Sequence, residues 1–192
     1  GDVVAFGSRV LDKSEPKYMN SSETPVYSKR RVLYGLNLAK KSKRPNIILC
    51  EGNLDIVTLH QAGFDNSVAS MGTALTVEQT RLLSRFTKEL VLCYDNDNAG
   101  KIATERALQI LNGSEFSVKV LQLPRRLVDG EYIKQDADDF IKFQGPDAFE
   151  RLLNGSENGV EFRMAQIAGK YDLKDDEARI AYCGEVSELL AS

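Results

Sequence analysis

Between Asn46 and Gln122 the chain alternates four apolar runs with three helical patterns. The runs cover residues 46–50, 66–71, 89–94 and 116–122; the helical patterns cover 54–62, 76–86 and 98–112. Strands joined through helices run parallel, because each helix carries the chain back across a face of the sheet. This order restricts the fold to the α/β class: an open, mainly parallel sheet flanked by helices. In such a sheet ligands collect at the carboxyl ends of the strands. Glu51, the Gly72-Thr73 step, Asp95 and Asp97 all fall at those ends.

The flanks are less regular. Residues 2–12 read as a short hairpin bending at Phe6-Gly7-Ser8, with Arg9-Val10-Leu11 returning. Pro16, Asn20, Ser21, Ser22 and Pro25 punctuate a loop-rich stretch. Val32, Leu33, Leu36 and Leu38 then predict a helix over 28–41, with Gly35 as a weak point. Residues 124–135 read as loop, and Asp136 opens a short helix through Phe143. Beyond Gly145-Pro146 the chain reads as a C-terminal helical subdomain, in pieces near 146–154, 158–171 and 175–190. The expected organisation is therefore 1–45 (hairpin, basic loop and helix), 46–145 (α/β domain) and 146–192 (helices).

At 192 residues, with 42% apolar and 28% charged content, the composition is that of an ordinary globular protein. No apolar run reaches membrane-span length and no signal peptide opens the chain, so a cytoplasmic protein without membrane contact is expected. Starting at Gly1 rather than Met reads as a piece of a longer protein. Cys50, Cys93 and Cys183 are expected to be buried packing thiols. Without a CxxC pair or a Cys/His cluster, no zinc site is expected. His60, the only histidine, reads as structural or exposed.

Net charge is −3, yet residues 13–44 carry about +7 and the remainder about −10. A basic segment beside an acidic one suits a polyphosphate held between cationic side chains and carboxylate-bound metals. A solvated basic face is the other reading of Lys40 to Arg44.

The acids are the chemical signal. Asp95 and Asp97, spaced i and i+2 after one apolar run, can face one cation. Glu51 follows another run, with Asp55 four residues on; Asp136 and Asp138 form a third group. Carboxylates gathered at strand ends repel one another unless cations lie between them, and hard oxygen donors suit Mg²⁺ or Mn²⁺. Singly, each has a structural reading: Asp97 as the cap of the next helix, Asp136 and Asp138 as acids facing a helix dipole. Gly72-Thr73-Ala74-Leu75-Thr76 is either a ligand-facing loop or a tight turn with Thr76 as N-cap. No GKS or GKT follows, so it is not a P-loop.

The runs Glu51-Gly52-Asn53-Leu54-Asp55, Met71-Gly72-Thr73-Ala74-Leu75-Thr76 and Asp95-Asn96-Asp97-Asn98-Ala99-Gly100 resemble a TOPRIM domain. With Phe6 to Leu11, Pro16 to Pro25, Ser28-Lys29-Arg30 and Leu33-Tyr34-Gly35-Leu36, the chain is similar, over roughly residues 1–145, to the RNA polymerase domain of bacterial DnaG-type primases. The resemblance implies a TOPRIM-type sheet and synthesis of RNA primers on single-stranded DNA by metal-dependent nucleotidyl transfer. It implies Glu51, Asp95 and Asp97 as catalytic metal-binding acids, and Asp55, Asp136 and Asp138 as further metal ligands. Arg9, Lys17, Asn20, Lys29 and Arg30 are implied in nucleotide or template contacts. The implied cofactor is Mg²⁺, with Mn²⁺ able to substitute. The implied partners are ribonucleoside triphosphates, single-stranded DNA and, through a region outside this chain, a replicative helicase. Asn53 stands where the family usually has an aromatic, Asn96 where it has glycine, and Ala137 where it has proline; the last is expected to loosen its loop. A topoisomerase or nuclease TOPRIM domain and a non-catalytic nucleic-acid-binding TOPRIM module are the alternatives.

Overall fold

The alternating stretch from Asn46 to Gln122 forms the centre of the structure, and the flanks depart from what their patterns predict. The computed structural model describes residues 2–10, 18–70, 72 and 74–191. The predicted bend at Gly7 is instead the start of β1 (Gly7–Arg9), which pairs antiparallel with β2 (Tyr18–Asn20). Gly7 serves close packing: a Cβ there would lie 2.9 Å from Asn20 Oδ1 and 3.3 Å from Asn53 Nδ2.

The helix predicted over 28–41 is mostly absent. Residues 29–31 turn, β3 (Leu33–Tyr34) follows, and only α1 (Leu36–Ala39) is helical. Gly35 divides them at φ 82°, a left-handed conformation that a helix interior forbids. A Cβ there would also lie 2.8 Å from Ile56 Cγ2.

The predicted alternation then follows: β4 (Asn46–Cys50), α2 (Asn53–Gln61), β5 (Ser67–Ser70), α3 (Val77–Leu83), β6 (Glu89–Leu92), α4 (Asn98–Leu111) and β7 (Ser117–Val120). Thr76 caps α3, its Oγ1 accepting from Gln79 N at 3.1 Å while Gln79 Oε1 accepts from Thr76 N. The 124–135 loop is in fact a hairpin, β8 (Arg126–Val128) and β9 (Glu131–Ile133). It turns at Asp129 (φ 50°) and Gly130 (φ 87°), the Asp-Gly pair that a two-residue hairpin turn favours. The chain ends with α5 (Ala137–Gln144), α6 (Pro146–Asn154), β10 (Glu157–Asn158), α7 (Gly159–Ala168) and α8 (Asp176–Ala191).

The main sheet has six strands in the order β10-β7-β6-β4-β5-β3. Its four central strands are parallel, and the short edge strands β3 and β10 run antiparallel. Successive residues of a strand point to opposite faces, so each strand feeds two cores. Leu49, Leu90, Leu92 and Val120 pack with Leu83, Leu108, Leu111 and Phe162, which places α3, α4 and α7 on one face. Ile48, Cys50, Val91 and Cys93 pack with Ile56, Leu59, Phe140 and Phe149, which places α2, α5 and α6 on the other. The Phe149 ring meets those of Phe64 and Phe140 edge-on, with centroids 4.7 and 6.1 Å away. The segment beyond Pro146 thus contributes to both cores and to one sheet edge. Cys50 and Cys93 are buried as expected, but Cys183 is exposed, because α8 leaves most of its surface in solvent. His60 is structural, its Nε2 lying 2.9 Å from the Ser67 carbonyl oxygen. Among the described residues no helix is long and apolar enough to cross a membrane.

Candidate active site

Glu51 leaves the end of β4 and Asp95 lies just beyond β6, two parallel neighbours in register, so the sheet brings both carboxylates to one edge. The Asp95 amide donates to Glu51 Oε1 at 3.4 Å. Asp136, the N-cap of α5, reaches the same place from the far side of the β8–β9 hairpin. These three, with Arg9, Asn20 and Asp55, line a cavity of about 290 Å³. The β1–β2 hairpin closes it by supplying Arg9 and Asn20.

Burial and mutual repulsion show in the acids. Burial pushes the Glu51 carboxyl up, and the Asp95 charge adds to it. Burial also raises Asp95, against the pull of Lys134. Asp97 goes the other way, held below its ordinary value by a hydrogen bond from Lys134 and by the Gly100 amide. The cap reading of Asp97 holds: Oδ1 caps α4, accepting from Gly100 N at 2.8 Å, while Oδ2 accepts from Lys134 Nζ at 2.8 Å. Lys134 Nζ also donates to Asp95 Oδ2 at 3.4 Å.

Asp55 has a second occupation. Its Oδ2 accepts from Gly52 N at 3.0 Å and its Oδ1 from Asp138 N at 3.2 Å, so it straps the start of α5 to the start of α2. Each oxygen keeps one lone pair for any further ligand. Burial, then the Asp136 charge, raises its pKa to about 7. Folding therefore takes up a proton here between the ordinary carboxylate value and about pH 7, and the stability that the protonated form contributes is lost as pH rises through that window. In metal-free protein, denaturant titrations should show stability falling from pH 4 to pH 7, by up to ~4 kcal/mol from this group. Glu51 and Asp95 add to the slope in the same direction. Asp55→Asn should flatten its share, and an unchanged slope in that variant would refute the assignment.

Asp138 does not line the cavity. Its carboxylate accepts from Thr58 Oγ1 and Lys142 Nζ, and although burial pushes it up, those bonds hold it below its ordinary value. Asp136, Asp138 and Asp139 offer carboxylate oxygens within 4.8 Å of one another, a second acidic group beside the first. Asp136 belongs to both.

Two segments match families described as "Toprim-like" (residues 48–141) and "DNA primase catalytic core, N-terminal domain" (residues 1–40). A DNA primase of Clostridium acetobutylicum is 41% identical over 191 residues, covering 99% of this chain and 31% of its own length. The chain belongs to the DnaG primase family. It spans about a third of the length of the curated primases it matches. Among solved structures, a DnaG primase catalytic domain bound to ssDNA matches with TM-score 0.77 and 33% identity, over 95% of this chain and 58% of that one. The RNA polymerase domain of Mycobacterium tuberculosis primase DnaG, in complex with double-stranded DNA, matches with TM-score 0.81 and 32% identity, over 98% and 60%.

Within this primase fold the sequence-predicted residues separate into groups. Glu51, Asp55, Asp95, Asp136, Arg9 and Asn20 converge on the cavity, with Asp97 alongside through Lys134. Lys29 and Arg30 do not line it; their main chain is bound to α3 instead, through Gln79 Nε2 to the Lys29 carbonyl (3.0 Å) and Thr76 Oγ1 to the Arg30 carbonyl (2.7 Å). Lys17 and Thr73 lie outside the described residues. Gly72 lines the cavity at φ 72°, and Thr76 caps α3, so each reading of this stretch finds support at a different residue. Asn53 faces the cavity, and Asn96 Nδ2 donates to the Leu123 carbonyl at 3.0 Å. At Ala137, the first residue of α5, the Asp136 cap fixes the backbone: Asp136 Oδ1 accepts from Asp139 N at 2.7 Å.

Lys134 and Thr58 join the site without a local sequence signal of their own. The pattern around Lys134 is that of a loop, and only the Asp129-Gly130 turn signal points to the hairpin that delivers it.

The donor set fits a divalent cation. Glu51, Asp95 and Asp136 present hard oxygens from three elements into one cavity, which is the ligation Mg²⁺ and Mn²⁺ prefer. Asn20 lines the same cavity, and among the described residues its buried Oδ1 has no hydrogen-bond partner.

Proposed function

We propose that this chain is the catalytic, TOPRIM-bearing part of a DNA primase, which makes short RNA primers on single-stranded DNA by nucleotidyl transfer from ribonucleoside triphosphates. The observation that carries the reading is the meeting of Glu51, Asp95 and Asp136 in one cavity that Arg9 and Asn20 close. Glu51, Asp95 and Asp136, whose carboxylates share the cavity, would hold Mg²⁺ together with Asp97 beside them; Mn²⁺ would substitute. A metal bound there supplies Lewis-acid stabilisation of the charge that develops at the reacting phosphate and on the leaving pyrophosphate. The chain's own residues do the rest. Glu51, whose carboxyl burial pushes up, would take the proton of an attacking 3′-hydroxyl. Arg9 brings a fixed positive charge to the cavity wall, and Asn20 an oriented amide. Lys29 and Arg30, outside the cavity, contact the template backbone together with Lys17. The protein is cytoplasmic, and contact with a replicative helicase belongs to a region outside this chain. Support comes from the solved relative described as bound to ssDNA, and from primase relatives across nearly the whole chain.

The test is anomalous diffraction from crystals soaked with Mn²⁺ and a ribonucleoside triphosphate. Metal peaks among Glu51, Asp95 and Asp97, with triphosphate density toward Arg9, are expected. Carboxylates without a peak at millimolar Mn²⁺ would overturn the metal-dependent reading in favour of a non-catalytic module.

A further inference from the structure

The β8–β9 hairpin is tied to the Asp95-Asn96-Asp97 segment on its entering side and closed on itself at its base. Asn96 Nδ2 donates to the Leu123 carbonyl at 3.0 Å, and Gln135 Nε2 to the Pro124 carbonyl at 2.7 Å. Gln135 is 1% exposed, so the hairpin is anchored in the body of the protein at its base. Lys134, next to that anchor, places Nζ 2.8 Å from Asp97 Oδ2 and 3.4 Å from Asp95 Oδ2. Among the described residues, Lys88, Lys119, Lys142 and Lys170 each pair with one carboxylate, whereas Lys134 bridges two. Those two are the acids proposed to hold the divalent ion.

We infer that Lys134 is a built-in counter-cation: it holds Asp95 and Asp97 together in the metal-free protein, and a divalent ion must displace it to reach them. The inference rests on the metal-dependent reading above. Two adjacent carboxylates without a cation repel each other, and the ammonium relieves this with three rotatable donors on a flexible stem. The Lys134 side chain is 57% exposed, so it can swing into solvent without rearranging the fold. A doubly charged ion with closer oxygen contacts outcompetes it, but each lysine contact surrendered weakens the apparent affinity. Lys134 therefore sets the metal concentration at which the site fills, while keeping the carboxylates positioned before it does.

Mn²⁺ binding followed by electron paramagnetic resonance tests this on the wild-type chain, Lys134→Met and Lys134→Arg. A partly exposed ion pair contributes up to a factor of about five, so losing both contacts should make Lys134→Met bind Mn²⁺ about tenfold more tightly. Lys134→Arg keeps the charge and should stay near wild type. Equal or weaker Mn²⁺ binding by Lys134→Met, with the wild type binding normally, would overturn the inference and leave the metal reading intact. Failure of every form to bind Mn²⁺ would overturn the metal reading and this inference with it.

Discussion

Asp95→Asn, introduced into a primase of full length, is expected to lower primer synthesis by at least 10³-fold while leaving the fold intact. The substitution is nearly isosteric, and the Asp95 side chain makes no hydrogen bond to the main chain among the described residues; it accepts from Lys134 Nζ. An amide cannot supply the charge that holds a divalent ion between Asp95 and Glu51. A loss of 10³-fold corresponds to ~4 kcal/mol of transition-state stabilisation, within what a metal contributes to phosphoryl chemistry. Stability should not fall, and in metal-free protein near neutral pH it should rise slightly, because burial already disfavours the Asp95 charge. Asp97→Asn makes a useful contrast. Asp97 caps α4 and binds Lys134, so its replacement should reduce stability as well as transfer. Primer synthesis assayed beside thermal unfolding separates the two. Wild-type synthesis by a folded Asp95→Asn protein would remove Asp95 from the catalytic set.

How much of this was legible in the sequence depended on range. The β4, α2, β5, α3, β6, α4 and β7 elements follow from local periodicity, and each of the apolar runs forms a strand within a few residues of its expected limits. Glu51 and Asp95 could be placed together because parallel strands put their ends on one edge. The flanks misled where a glycine had two readings. Gly7 looked like a bend and is a packing position; Gly35 looked like a weak helix residue and is the left-handed break that ends β3. Lys134 was hidden for a different reason. Its partners lie 37 and 39 residues earlier, and nothing local to Lys134-Gln135-Asp136 reveals that Gln135 anchors to Pro124. The double duty of Asp55 was equally out of reach, since its second partner is the amide of Asp138, 83 residues away.

Gly100→Ala should damage both fold and site, although Gly100 carries no chemistry. It lies in the first turn of α4, where alanine would ordinarily improve a helix by up to ~1 kcal/mol. Here a Cβ would fall 1.9 Å from the Asp95 carbonyl oxygen, 2.8 Å from its carbon and 3.0 Å from its nitrogen. All three are backbone atoms, so no side-chain rotation relieves the clash. Either α4 retreats, breaking the Gly100 N to Asp97 Oδ1 bond, or the strand end carrying Asp95 moves away from Glu51. Overpacking of this kind costs about 3 kcal/mol, which in a domain of this size lowers Tm by roughly 10 °C. The damage should also reach the carboxylates, with Mn²⁺ affinity falling alongside stability. Gly184→Ala in α8 is the matched control, because a Cβ there meets nothing within 4 Å and should leave Tm unchanged or slightly raised. If Gly100→Ala matched that control in Tm and in Mn²⁺ affinity, the close approach of α4 to the Asp95 backbone would not be what fixes the acidic pair.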